Sequence, residues 1–281
     1  MDPIDTLFKD LANDSFRANH LRGQNFTCSR ALRRKLMDTA NPAKGDFVVE
    51  IGTGTGVMTY EIKARCSNFV SLEIDPRLAA IARRNLSDMA DDRLIETDGV
   101  LWLRERLAAD SPGCKIKLIS SLPYSISTPI LDLTAQYPDR FESVTLLTGK
   151  EFAHKIAAPP ADPERMALSV LIQTAYSVSV SSSIPPTRFF PRPHIDSAIL
   201  HLTCNPGSIP EDWVGYCGFV RQAFQQRRKT LLNNLSHRFN PVERDHIRGS
   251  GVLSETSRAG ELTVDAFKTL FSIVASNSMR T

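Results

Sequence analysis

The sequence predicts a doubly wound α/β fold, a mostly parallel sheet covered by helices, followed by a small all-α C-terminal domain. Three observations carry this reading. Short apolar, β-branched runs alternate with helical stretches through most of the chain, the pattern of strands joined by crossover helices. The first of these runs ends in a glycine-rich turn, Gly52-Thr53-Gly54-Thr55-Gly56. Beyond the turn cluster Asn205-Pro206-Gly207 the pattern becomes helical, which marks a boundary there.

The elements follow in order. Phe47–Ile51 (FVVEI) reads as the first strand, and roughly Val57–Cys66 as the helix behind the glycine turn. Asn68–Ile74 is the second strand. Pro76–Met89 reads as a helix with proline in its first turn, where the missing N–H has no partner to lose. Arg93–Thr97 and Lys115–Ser120 are the third and fourth strands, with a helix starting near Thr128-Pro129, and Ser143–Thr148 is the fifth. Met166–Ser182 joins a helix to a β-like tail, and His194–Thr203 is a last strand. Helices are expected over Glu211–Gln226, Arg228–Arg238 and Thr263–Ser276. The expected domains are residues 1–204 and 205–281.

Composition narrows the class. The chain has 281 residues, 42% hydrophobic and 23% charged, with a net charge of +3. That is ordinary for a globular protein and excludes a disordered, collagen-like or coiled-coil chain. No apolar run approaches the roughly 20 residues that span a bilayer, so no membrane partner is expected. The N-terminal stretch MDPIDTLFKDLANDSF carries four Asp and resembles neither a secretory signal nor a transit peptide. Five cysteines, widely spread and without a CxxC pair, point to reduced thiols in a cytoplasmic protein and to no metal site. Charge is unevenly placed. Ser15–Met37 holds six basic residues and no acid, and Arg221–Arg248 holds seven against Glu243 and Asp245. Two such clusters on a nearly neutral chain suggest a surface for a polyanion.

The chemistry gathers at strand ends. Glu50, Glu73, Asp98 and Ser121 close successive strands at spacings of 23, 25 and 23 residues, about one strand–helix unit each. All four therefore reach the carboxyl edge of the sheet, where ligands of open α/β sheets bind. The glycine turn lets a ligand approach the backbone. Glu73 is placed to accept from both hydroxyls of a ribose, and Asp98 from an exocyclic amine such as adenine N6. A nicotinamide dinucleotide and S-adenosylmethionine both carry these groups. The dinucleotide fingerprint GxGxxG is not met by Gly52-x-Gly54-x-Gly56. The acid Glu50 just before the turn suits a cationic sulfonium better than a pyrophosphate, so S-adenosylmethionine is the favoured cofactor.

The fourth strand runs into Ser121-Leu122-Pro123-Tyr124-Ser125-Ile126-Ser127-Thr128-Pro129. This segment resembles the acceptor loop of the ribosomal RNA adenine N6-dimethyltransferases. The resemblance extends over nearly the whole chain: Gly23-Gln24-Asn25-Phe26, Glu50–Gly56, and Ile184-Pro185-Pro186-Thr187-Arg188-Phe189-Phe190-Pro191-Arg192-Pro193 through Ser197-Ala198 are similar to its other motifs. Phe224–Leu231 and Arg258–Thr263 are similar to the tail of the small-subunit (16S) branch rather than to the 23S methylases. The resemblance implies a Rossmann-like class I methyltransferase sheet. It implies a donor site of Asn25, Thr27, Gly52, Gly54, Glu73, Ile74, Asp98, Gly99 and Ser121. It also implies an acceptor site of Ser121, Leu122, Pro123, Tyr124 and Phe189, the two aromatics stacking on a flipped adenine. Arg30, Arg33, Arg34, Lys35, Arg221, Arg227, Arg228 and Lys229 are the expected contacts to small-subunit rRNA or an immature subunit, made by a monomer.

Adenine N6 is a weak nucleophile whose lone pair is delocalised into the ring. It calls for carbonyl or side-chain acceptors that orient N6–H rather than for a strong base. Three positions depart from the family pattern: Ser121 stands for Asn, Thr27 for Leu, and Thr97 for the Gly before Asp98. Ser keeps an acceptor oxygen on a shorter arm. Two other readings stay open on the residues alone, a non-catalytic rRNA-binding assembly factor and a 23S or small-molecule methylase on the same fold. Intact Glu73 and Asp98 speak against the first.

Overall fold

The computed structural model describes residues 25–87, 91–109, 114–121, 124–236, 241–249 and 251–278. The chain divides into two compact units, residues 1–153 with 178–204, and residues 154–177 with 205–281.

The first unit is built on strands β1 (Phe26–Thr27), β2 (Phe47–Ile51), β3 (Phe69–Glu73), β4 (Leu94–Glu96), β5 (Ile116–Ser121), β6 (Phe141–Gly149), β7 (Tyr176–Val180), β8 (Phe189–Phe190) and β9 (Ser197–Cys204). Seven of them form one sheet in the order β4-β3-β2-β5-β6-β9-β7. The pairs β2–β3, β3–β4, β2–β5 and β5–β6 are parallel, and β6–β9 is antiparallel. β2, β3 and β5 are buried almost throughout, as expected of parallel strands covered on both faces. The strands expected from the sequence have their observed ends within three residues, and β2 spans Phe47–Ile51 as expected. β1 and β8, two residues each and paired Phe26 to Phe190 and Thr27 to Phe189, are too short to leave an alternation in the sequence.

Helices α1 (Arg30–Ala40), α2 (Val57–Lys63), α3 (Pro76–Asn85), α4 (Gly99–Ala108) and α5 (Ser127–Gln136) cover the sheet. α1 starts at Ser29, whose hydroxyl accepts from the Leu32 amide, and stops at Asn41, which takes the left-handed conformation. Its inner face places Leu36 and Met37 in one apolar cluster with Val48, Ile62, Phe69 and Ile199. α3 opens on Asp75, whose carboxylate accepts from the Arg77 amide ahead of a proline in the first turn. It ends at Asn85, earlier than expected.

The second unit contains α7 (Ala167–Ala175), which follows α6 (Lys150–Ala157), together with α8 (Trp213–Ala223), α9 (Leu231–Asn234), α10 (Pro241–Gly249) and α11 (Val264–Ser278). The expected first domain, residues 1–204, included α7; the contacts place it with the C-terminal helices instead. The reason is its buried face: Thr174 Oγ1 and the Tyr216 hydroxyl of α8 share a hydrogen bond of 3.0 Å. Tyr216 stacks on Trp213 and meets Phe271 edge-on, each at 5.5 Å, and Phe219 and Phe224 pack on Phe267. Burial pushes the Tyr216 phenol up to about 12. The helix expected over Arg228–Arg238 contracts to α9. Residues 225–230 carry no apolar side chain, and Asn234 Nδ2 donates to the Ala223 and Gln226 carbonyls at 2.9 and 3.0 Å, which holds the chain in a turn before α9. Among the described residues no helix is long and apolar enough to cross a membrane.

Candidate functional site

β2 pairs with β3 on one side and β5 on the other, so the strand order reverses there and opens a crevice at the carboxyl edge. Gly52 and Gly54, which follow β2, have φ of 83° and 59°. At Gly54 this left-handed backbone is combined with a close approach, because a Cβ would stand 3.2 Å from the Phe26 ring. The crevice is a cavity of about 360 Å³, within the range of small-ligand sites. All of the donor residues expected from the sequence line it: Asn25, Thr27, Gly52, Gly54, Glu73, Ile74, Asp98, Gly99 and Ser121.

Glu73 holds the turn in place. Its Oε2 accepts from the Gly54 amide at 2.7 Å and its Oε1 from the Asp75 amide at 2.9 Å. Burial raises its pKa, and the Asp75, Gly54 and Ile74 amides pull it back down. Asp98 caps α4: its Oδ1 accepts from the Val100 and Leu101 amides at 2.8 and 3.0 Å, which leaves Oδ2 for a ligand. Ile74 lines the cavity with 52% of its surface exposed, an apolar wall for a flat ring. Gly99 answers to packing, since a Cβ there would sit 2.6 Å from the Ile51 side chain.

Behind the turn lies Glu50, buried and outside the cavity lining. Thr59 Oγ1 and Ser71 Oγ each donate to its Oε2 at 2.6 Å, while Oε1 is buried without a partner among the described residues. Burial drives its carboxyl up to about 7, against the two hydroxyl hydrogen bonds, which lower it. Sequence reading named neither Thr59 nor Ser71. Ser71 had a signal, a polar residue inside the apolar run FVSLE and the register partner of Glu50. Thr59 had none. Phe26, Ile51 and Ser125 also line the cavity and were not foreseen.

On the acceptor side Ser121 ends β5, half-buried and at the cavity. Leu122, Pro123 and the Tyr124 side chain lie outside the described residues. Phe189 is a correction. Expected to present a ring face, it is 5% exposed and sits in the apolar cluster with Leu36, Met37 and Ile199. Alternation along β8 turns the neighbouring Phe190 outward, 53% exposed.

Comparison with known proteins agrees with this geometry. Residues 15–276 match the family described as Ribosomal RNA adenine dimethylase. The chain belongs to that family. The dimethylase is 35% identical over 91% of its length to the ribosomal RNA small subunit methyltransferase A of Chlorobium chlorochromatii, covering 93% of that protein. It is 36% identical to the same-named protein of Chlorobium limicola over 78% of this chain and 81% of that one. The crystal structure of a dimethyladenosine transferase from Plasmodium falciparum superposes with a TM-score of 0.72 at 20% identity, covering 90% of this chain and 98% of that chain. This last likeness bears on the fold.

The structure sorts the dimethylase's basic residues. Arg30, Arg34 and Lys35 are exposed on α1; Arg34 pairs with Asp38 at 3.6 Å, and Lys35 Nζ donates to Ser182 Oγ at 3.4 Å. Arg33 is a correction. It is 2% exposed, on the inner face with Leu36, Met37 and Ala40, and its Nη1 donates to the Thr27 carbonyl at 3.5 Å. Arg33 lines neither the donor cavity nor the cavity of the second unit, so no opening brings a phosphate to its buried guanidinium. In the second unit Arg221, Arg227, Arg228 and Lys229 are exposed. Arg227 is tied inward, its Nη2 donating to the Pro163 carbonyl and, at 3.2 Å, to that of Arg165.

Proposed function

We propose that this dimethylase transfers methyl groups from S-adenosylmethionine to N6 of two neighbouring adenines in a hairpin of small-subunit rRNA. The observation that carries the reading is that Glu73, Asp98 and the left-handed Gly52–Gly54 turn share one cavity at the strand-order reversal, in a chain of the adenine dimethylase family. The residues fit the donor. The Glu73 carboxylate at the cavity wall suits a ribose diol, Asp98 Oδ2 suits the adenine amine, and Ile74 offers a wall for the ring. The unpartnered Glu50 Oε1 behind the turn supplies negative potential toward a cationic ligand. When bound, S-adenosylmethionine supplies an electrophilic methyl on a sulfonium.

The chain's own part is binding and orientation. Ser121 Oγ accepts from the adenine N6–H, which steers the nitrogen lone pair toward the donor side of the cavity. No strong base is needed, because the N–H protons become acidic as the nitrogen takes up the methyl. The substrate is rRNA or an immature small subunit, met by a monomer in the cytoplasm. Arg228 and Lys229 contact its phosphates. Replacing both by alanine lowers rRNA affinity and reduces the slope of log affinity against log salt by about two, with donor affinity unchanged; filter binding across a salt series checks this. Arg227 is the wrong residue for that test because it braces the Pro163–Arg165 segment. The function itself is tested by mass spectrometry of small-subunit rRNA from cells with and without the protein. Dimethyladenosine disappears from the hairpin when the protein is absent; unaltered dimethyladenosine overturns the reading.

A further inference from the structure

The second unit holds its own cavity, about 320 Å³, whose lining includes Arg165, Arg227, Arg228, Arg258, Asp162 and Glu261. Arg165 is 1% exposed. Its Nη1 donates to the Ala158 carbonyl and, at 3.0 Å, to Gln173 Oε1. The Gln173 amide is itself fixed, because its Nε2 donates to the Ile156 and Ala158 carbonyls at 2.8 and 3.0 Å. The other edge of the guanidinium, Nε and Nη2, is buried without a hydrogen-bond partner among the described residues. Burying unpaired donors of a charged group is costly. That edge is also the fork that binds two oxygens of an oxyanion side by side.

The surrounding charge has the matching sign. Four arginines face two carboxylates, and those carboxylates are already engaged: Asp162 Oδ1 accepts from the Glu164 amide at 2.7 Å and Glu261 Oε2 from the Arg258 amide at 3.0 Å. Asp162 acts on the Arg165 charge through space without accepting a hydrogen bond from it. The wall is held in an uncommon shape, with Ala161 at φ 68° and its amide donating to the Gly260 carbonyl at 2.8 Å. A non-glycine residue in that region persists where the surroundings enforce it.

We propose that this cavity is a phosphate-binding site in which the Nε–Nη2 edge of Arg165 holds two phosphate oxygens and Arg258 and Arg228 neutralise the remaining charge. The phosphate comes from a free anion or from an RNA backbone, and the chemistry of recognition is the same for both. The site is independent of the donor cavity, so its failure leaves the methyltransferase reading untouched.

The full-length protein, freed of phosphate and sulfate, is titrated with inorganic phosphate by calorimetry. Saturable binding at millimolar concentration or below is expected, weakened about tenfold or more in Arg165→Gln. S-adenosylmethionine affinity, measured alongside, stays at the parent value and reports that the variant is folded. Arg258→Gln, at an exposed position, weakens phosphate binding while leaving the Arg165 network intact, and so covers a folding failure of the first variant. A competition between inorganic phosphate and rRNA identifies the source: displacement assigns the site to the RNA backbone, and simultaneous binding assigns it to a free anion. No phosphate binding by the parent protein, or equal binding by the parent and both variants, overturns the proposal.

Discussion

Glu73→Ala lowers affinity for S-adenosylmethionine by about a hundredfold or more. Two hydroxyl hydrogen bonds to a carboxylate are removed at once, each worth roughly 1.5–3 kcal/mol when one partner is charged. The carboxylate also anchors the Gly54 amide at 2.7 Å and the Asp75 amide at 2.9 Å, so its loss frees the turn that the ligand must approach. The two effects act in the same direction. Calorimetric titration of parent and variant measures the ratio, and circular dichroism reports whether the sheet survives. A loss of less than about threefold, the scale of a single weak neutral contact, would remove Glu73 from the donor site.

Glu50→Gln changes how stability and donor affinity depend on pH. Burial lifts the Glu50 carboxyl from 4.5 to about 7 in the fold, so the folded chain binds the proton more tightly than the unfolded one. The stabilisation from that proton is complete below the ordinary carboxylate range and is lost as pH rises to about 7, by roughly 3 kcal/mol. Glutamine carries no such loss. Urea denaturation therefore shows the variant close to the parent in acid and more stable than it at about pH 8. Donor affinity runs the other way. A sulfonium favours the ionised carboxylate, so parent affinity rises through the same pH window and the variant's stays flat and weaker. A stability difference that does not change with pH would contradict the burial of this carboxyl.

Much of this was readable because the decisive residues stand at strand ends. Phe47–Ile51 and Lys115–Ser120 declare themselves as buried strands by apolar continuity, and the even spacing of Glu73, Asp98 and Ser121 follows from one strand–helix unit repeated. What escaped depends on pairing and on faces. The place of Phe189 is set by its register with Thr27, a contact across more than half the chain that no local pattern encodes. α7 joins the second unit through Tyr216, which lies far along the sequence. Arg33 was legible and was passed over. It falls at helical spacing with Leu36, Met37 and Ala40, whereas counting basic residues ignores which side of the helix each one occupies. Glu50 stood out as an acid before the glycine turn, but its raised carboxyl comes from burial, against the lowering hydrogen bonds of Thr59 and Ser71, and only the folded register brings these groups together.

The most direct measurement is a crystal structure of the protein grown with S-adenosylmethionine. The ribose hydroxyls are expected on the Glu73 carboxylate, the adenine amine on Asp98, and the ring against Ile74. Ligand bound at any other place, or density that leaves the Gly52–Gly54 cavity vacant at saturating donor, would contradict the assignment of this site.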